Sequence, residues 1–177
     1  MSIVSNISPL APKNFPIMHS ISGVRFATAN AGIKSGDSED ATLILLEPET
    51  VIAGLFTSSM TRSAPVIDCQ NKIGINVANT GAAIIVNSGN ANAFTGRHGE
   101  LAVREIISEL STRVQIPVER IFSSSTGVIG ELLEYQKIIN VFDHLVESLH
   151  GIKIENAARA IMTTDTCLLY TSDAADE

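Results

Sequence analysis

The chain has 177 residues, 45% hydrophobic and 18% charged, a length and balance that suit a globular domain with a buried core and exclude a disordered segment. Its 12 basic and 19 acidic residues give a formal charge of −7 with no Lys/Arg cluster, which argues against a nucleic-acid partner. Two cysteines, Cys69 and Cys167, and four scattered histidines offer neither a disulfide framework nor a closely spaced ligand set, so no metal is expected.

Residues 1–22, with three prolines and little periodicity, read as an irregular arm that lacks the basic start and apolar stretch of a signal peptide. No apolar run approaches the roughly 18 residues of a membrane span, so a cytoplasmic protein with no membrane partner is expected. "GVRFATANAGIK" reads as a strand followed by a Gly-containing turn, and "SGDSED" as a polar turn. "ATLILLEP" and "VIAGLFTSS", separated by "PET", predict two short strands joined as a hairpin. "SAPVID" and "IGINVA" are shorter strand candidates. "AAIIVN" (Ala82 to Asn87) has the continuous apolar character of a strand covered on both faces. Between Glu100 and Val114, the residues Leu101, Ile106, Ile107, Leu110 and Val114 fit one helical face. "VERIFSSS" predicts another strand. Ile138, Ile139, Phe142, Leu145, Val146 and Leu149 then mark one amphipathic helix beginning near Leu132. A last helix, "NAARAIMT", starts near Asn156. Strands first and strand–loop–helix units afterwards indicate a mixed α/β architecture with helices covering sheet.

Two strand–loop–helix junctions share a chemistry. "NSGNANAFTG", Asn87 to Gly96, follows "AAIIV", and "SSSTGVIGE" follows "RIF". Glycines expose backbone N–H groups, which near a helix N-terminus can hold an anion or a developing oxyanion. Asn87, Asn90 and Asn92 add amide donors and are candidates for the wall of a ligand site. The same residue types also make N-caps and tight turns, and composition alone does not separate the two readings. The patterns GxGxxG and GxxxxGK[ST] are absent, as is GxSxG, so neither a nucleotide cofactor nor a hydrolase elbow has a fingerprint.

"VNSGNANAFTG" at Val86–Gly96, "SSTGVIGELL" at Ser124–Leu133 and "AIMTTDT" at Ala160–Thr166 together resemble the ornithine acetyltransferase family. "GVRFATANAGIK" and "VIAGLFTSSMTRSAPV" fit the same pattern in the same order, and the likeness runs over 23–166. The resemblance implies a layered αββα-type sandwich with mixed sheets. It implies transfer of an acetyl group from N2-acetylornithine to glutamate, with acetyl-CoA as a donor in some members and no bound cofactor. Such precursors cut themselves before a threonine, whose freed amine activates its own hydroxyl as nucleophile. Thr126 and Gly127 match the family's oxyanion-hole pair, one donating through its hydroxyl and the other through its backbone N–H. Thr163 and Thr164 match the substrate-contacting segment. The implied partner is the enzyme's own β chain, in an α2β2 heterotetramer.

After "AIMTTDT" the family continues into Phe-Pro-Lys, a Gly-rich stretch with a substrate-binding lysine, and the cleavage junction. Here the chain reads "CLLYTSDAADE". The expectation is therefore an α-chain part that lacks the β-chain half and the nucleophile, is inactive alone, and carries a tail foreign to the family at 167–177. A related self-processing aminopeptidase and an inactive binding fragment are the alternatives. Arg62 is a candidate for a substrate carboxylate and Asp165 for orienting a site threonine, each against a surface or turn role. Cys69 reads as a small apolar residue near a strand, and Cys167 as no nucleophile for want of a base. His98, His144 and His150 are expected to face solvent.

Overall fold

The computed structural model describes residues 18–75, 77–151 and 153–163. Four strands form one mixed sheet in sequence order: β1 Val24–Ala29, β2 Ala41–Leu46, β3 Ala82–Asn90 and β4 Ile121–Val128. β1 and β2 pair antiparallel, as do β2 and β3, while β3 and β4 run parallel through the crossover helix α2. A parallel pair needs such a crossover, and the apolar "AAIIV" supplies its central strand.

Alternation in this register places Ala27, Ala29, Ala41, Leu43, Ala83, Ile85 and Ile121 on one face, all buried. Three helices cover that face: α2 (Gly96–Val114), α3 (Tyr135–Asn140) and α4 (Phe142–Glu147). α2 buries Gly99, Ala102, Val103, Ile106, Ile107 and Leu110, the three-and-four spacing of a helix lying on a sheet. It stops at Gln115, which takes a left-handed conformation. On the opposite face Phe26, Thr28, Thr42 and Ser88 are buried, and the Ser88 hydroxyl donates to the Ala160 carbonyl of α5 (Ile154–Ala160). Farther along that face Ile84 and Val86 are only half-buried and Ser124 is exposed, so β3 is tightly covered on one side rather than two. This is the layered, mixed α/β architecture anticipated above, with one sheet among the described residues.

Four local expectations need correction. "VIAGLFTSS" is not a strand: both neighbours of β2 are taken by β1 and β3, and Val51 and Leu55 are 90% and 103% exposed. "SAPVID" belongs to helix α1 (Ala64–Lys72), because Ser63 is extended at the N-cap and Pro65 sits in the first turn, where its missing N–H costs nothing. "IGINVA" also forms no strand among its described residues. The helix foreseen from Leu132 begins only at Tyr135 and breaks at Val141, beside the weak helix former Asn140. Its apolar stripe survives the break, since Ile138, Ile139, Phe142 and Leu145 are all buried.

Candidate functional site

The carboxyl ends of β3 and β4 lie side by side in the register Ser88↔Thr126, Gly89↔Gly127 and Asn90↔Val128. Gly127 has φ of +137°, and a Cβ there would run into the backbone of Gly89 and Asn90. Gly89, with φ of +98°, has no space for a Cβ either, because the Lys34 side chain packs against it. Two residues without side chains therefore face one another where the ladder ends. Beyond them opens a cleft of about 410 Å³ lined by Lys34, Gly89, Thr126, Gly127, Val128 and Thr163. The carboxyl end of a parallel strand pair is where open α/β sheets commonly receive ligands.

Three of the four residues singled out from the sequence, Thr126, Gly127 and Thr163, meet in this cleft. Thr126 is exposed, and its hydroxyl has no hydrogen-bond partner among the described residues. Thr164 lies outside the described residues, as do Asp165, Cys167 and the rest of the tail. The surroundings of the pair differ from expectation. Thr126 and Gly127 sit inside β4 rather than in a loop before a helix, and α3 starts only at Tyr135. Donors here come from a strand end, not from a helix N-terminus.

Lys34 escaped the sequence reading. It stands in "NAGIK", a stretch that reads only as a turn, and nothing local marks it as a cleft residue. Its placement is set by Asp40, which is 1% exposed and immediately precedes β2. The Asp40 carboxylate accepts backbone N–H groups from Ala31 at 2.7 Å, Ile33 at 2.6 Å and Lys34 at 2.8 Å. One buried anion thereby folds the 30–34 turn around itself. The Lys34 ammonium donates to the carbonyls of Met162 (3.0 Å) and Ala160 (3.4 Å), on the segment that leads to Thr163. No carboxylate lies in ion-pair range of Lys34 among the described residues.

The three asparagines are committed elsewhere. Asn87 donates to the Asn90 carbonyl and accepts from the Ser125 hydroxyl. Asn90 donates to the Glu131 carbonyl and accepts the Asn92 N–H at 2.7 Å. Asn92 is fully buried with φ of +46°, donates to the Gly99 carbonyl and accepts from the Thr95 hydroxyl. "NSGNAN" is therefore a self-satisfying lock that carries β3 into α2, and its amides are spent on the fold rather than on a ligand wall.

Arg62 also stands apart. It borders a different cleft, with Phe94 and Gly96, and donates to Gln70. A larger cleft of about 450 Å³ opens near the start of β4, where buried Arg120 ties together the carbonyls of Thr50 and Gly81. Cys69 lies on α1 and, as expected, near a strand: its thiol donates to the Ser123 carbonyl of β4, and burial pushes its pKa up, making it a poor nucleophile. His98, His144 and His150 are exposed as foreseen, although His150 lies past the helix and bridges Phe26 through its backbone. Among the described residues no group of three His, Cys, Asp or Glu side chains could hold a metal, and no helix is long and apolar enough to cross a membrane.

Known proteins share both the sequence and this fold. The ArgJ family pattern matches residues 25–174. The arginine biosynthesis bifunctional protein ArgJ of Ruegeria pomeroyi is 48% identical over 166 residues, covering 94% of this chain and 40% of that protein. Its counterpart in Bartonella quintana is 42% identical over 160 residues, covering 90% and 38%. The crystal structure of an ornithine acetyltransferase from Mycobacterium tuberculosis, complexed with ornithine, matches with a TM-score of 0.75 and 32% identity, over 81% of this chain and 77% of that one. The ArgJ structure from Bacillus halodurans gives 0.73 and 29%, over 84% and 78%. The chain spans about 40% of the length of the curated relatives it matches. With 150 of its 177 residues inside the family pattern and the motif order preserved, the chain belongs to the ArgJ family.

Proposed function

We propose that this chain supplies the oxyanion-stabilising half of an acetyltransferase that moves an acetyl group from N2-acetylornithine to glutamate. Thr126 donates through its hydroxyl and Gly127 through its backbone N–H to the acetyl oxygen as it becomes negative in the tetrahedral intermediate. The attacking group is an N-terminal threonine encoded beyond this chain, whose own α-amine takes the hydroxyl proton. Ornithine leaves with that proton, and the amine of glutamate then attacks the acetyl-threonine. Thr163 and Thr164 contact the substrate. The chain acts as the α part of an α2β2 assembly and transfers no acetyl group alone, since an oxyanion hole without a nucleophile polarises a carbonyl but accepts no acyl group.

One observation carries this reading: an exposed hydroxyl with no partner among the described residues lines the same cleft as Gly127 and Thr163. The test is Thr126→Val in the complete enzyme, assayed with N2-acetylornithine and glutamate and, as a second donor, acetyl-CoA. Loss of one oxyanion donor is expected to lower kcat about 10²–10³-fold while KM moves little. A kcat within threefold of wild type would sink the assignment.

A further inference from the structure

Among the described residues Lys34 is the one cation lining the cleft, and its geometry carries more than a structural contact. A lysine ammonium has three N–H donors. The carbonyls of Met162 and Ala160 engage two of them, which pins the head group in one position without neutralising it. Two other groups hold the same assembly: Asp40 fixes the Lys34 backbone, and the Ser88 hydroxyl shares the Ala160 carbonyl at 2.5 Å. Gly89 contributes by having no Cβ, since a methyl group there would collide with the Lys34 side chain. Lys34 is half-buried, so solvent screens its charge only in part. A pinned ammonium with no carboxylate in range among the described residues, lining a cleft beside two candidate oxyanion donors, has the chemistry of a carboxylate receptor.

We infer that Lys34 binds the α-carboxylate of the amino-acid substrate, and that the Ala160 and Met162 carbonyls exist to aim it. This rests on the acetyltransfer reading for the identity of the substrate. It is a residue of this chain, distinct from the lysine that the resemblance places beyond Thr166. In N2-acetylornithine the acetyl group is on the α-nitrogen, so the carboxylate stands on the adjoining α-carbon; an ammonium that holds it beside Thr126 and Gly127 brings the acetyl carbonyl to those donors and leaves the δ-amine at the far end of the molecule. Selection for an α-carboxylate follows, and amines of the same length without one are rejected.

The test crosses a variant with a substrate. In the complete enzyme, N2-acetylornithine and its neutral α-carboxamide are compared for wild type, Lys34→Met and Lys34→Arg, with both KM and calorimetric affinity measured. Wild type is expected to favour the acid over the carboxamide roughly 10- to 100-fold, the worth of one charge-assisted hydrogen bond, and Lys34→Met to lose that preference. Lys34→Arg keeps the charge and regains most of it. A merely structural lysine would weaken acid and carboxamide equally, and that result overturns the inference. If Lys34→Met fails to fold, Lys34→Arg and Lys34→Gln give the same comparison, with preference lost only in the neutral variant. Absence of any acetyl transfer by wild type would refute the functional reading instead. Lys34 would still be judged by affinities, equal binding of acid and carboxamide counting against it.

Discussion

Replacing Asp40 by Asn tests whether one buried carboxylate organises the approach to the cleft. Asp40 is 1% exposed and accepts three backbone N–H groups, one on Oδ1 and two on Oδ2. An asparagine keeps the shape but has one acceptor oxygen. Its better orientation turns that oxygen toward Ile33 and Lys34 and its amide nitrogen toward the Ala31 N–H, so one buried donor loses its acceptor. That orphan costs about 1–3 kcal/mol, and the two surviving bonds each lose about 1 kcal/mol of charge assistance. The expected loss is therefore about 3–5 kcal/mol, a large share of a typical domain's stability.

Urea unfolding of wild type and Asp40→Asn, read by circular dichroism, gives the difference. Hydrogen exchange locates it: the amides of Ala31, Ile33 and Lys34 are expected to lose protection before the strands do. Asp40→Ala removes all three acceptors and is expected to be worse than Asn. A difference below about 0.5 kcal/mol, the size of an ordinary surface substitution, would refute the reasoning and mean that water serves these N–H groups as well.

Three further outcomes are expected. Gly127→Ala meets both a positive φ and the Gly89–Asn90 backbone, whereas Gly32→Ala meets only a positive φ in open space; thermal unfolding should show about 1–2 kcal/mol of strain for Gly32→Ala and clearly more for Gly127→Ala. Asn92→Ala strips the Gly99 and Thr95 contacts from a buried left-handed residue, and about 2–4 kcal/mol of stability should go with them in the same assay. Burial raises the Cys69 pKa, so the folded state holds the thiol proton longer than the unfolded state does. The stability this represents is complete below the unfolded thiol value and falls as pH climbs toward the folded one. Cys69→Ala should flatten the alkaline limb of a Tm-against-pH curve, and an unchanged limb would show that Cys69 contributes nothing to it.

Elements whose identity depends on neighbouring residues were legible in the sequence. β1, β2 and β3 announced themselves through β-branched and apolar runs, and α2 through its three-and-four spacing. "VIAGLFTSS" has the same local character as β2, yet the hairpin expected of it needs a side of β2 that β1 and β3 already occupy, which composition does not encode. "SAPVID" misled for a narrower reason: Pro65 after Ser63 is a helix-start signal that outweighs two β-branched residues. At the site, Thr126, Gly127 and Thr163 were found through motif resemblance. Lys34 was not, because its role arises from contact with a segment 128 residues away. The asparagines drew attention for the right physical reason, a demand for donors and unusual φ, but the demand came from the backbone.

The cleft is assembled from the 30–34 turn, two strand ends and the segment after α5, none of which encloses it alone. Its walls are tied by side chain–to–backbone bonds, locally from Asp40 to the turn and, across 128 and 72 residues, from Lys34 to Met162 and from Ser88 to Ala160. Such contacts reward the chain only after long loops have closed, so the site cannot persist in a partly folded state that keeps just the β3–α2–β4 unit. Opening of the 160–163 segment would free Lys34 and remove Thr163 together, without disturbing Thr126 or Gly127 in the ladder. On the proposed reading, substrate orientation and oxyanion stabilisation would thus be carried by separable parts of the fold. Damage at Asp40 should raise KM through Lys34, whereas damage at Gly127 should lower kcat, and steady-state kinetics of the two variants at one temperature distinguish these outcomes.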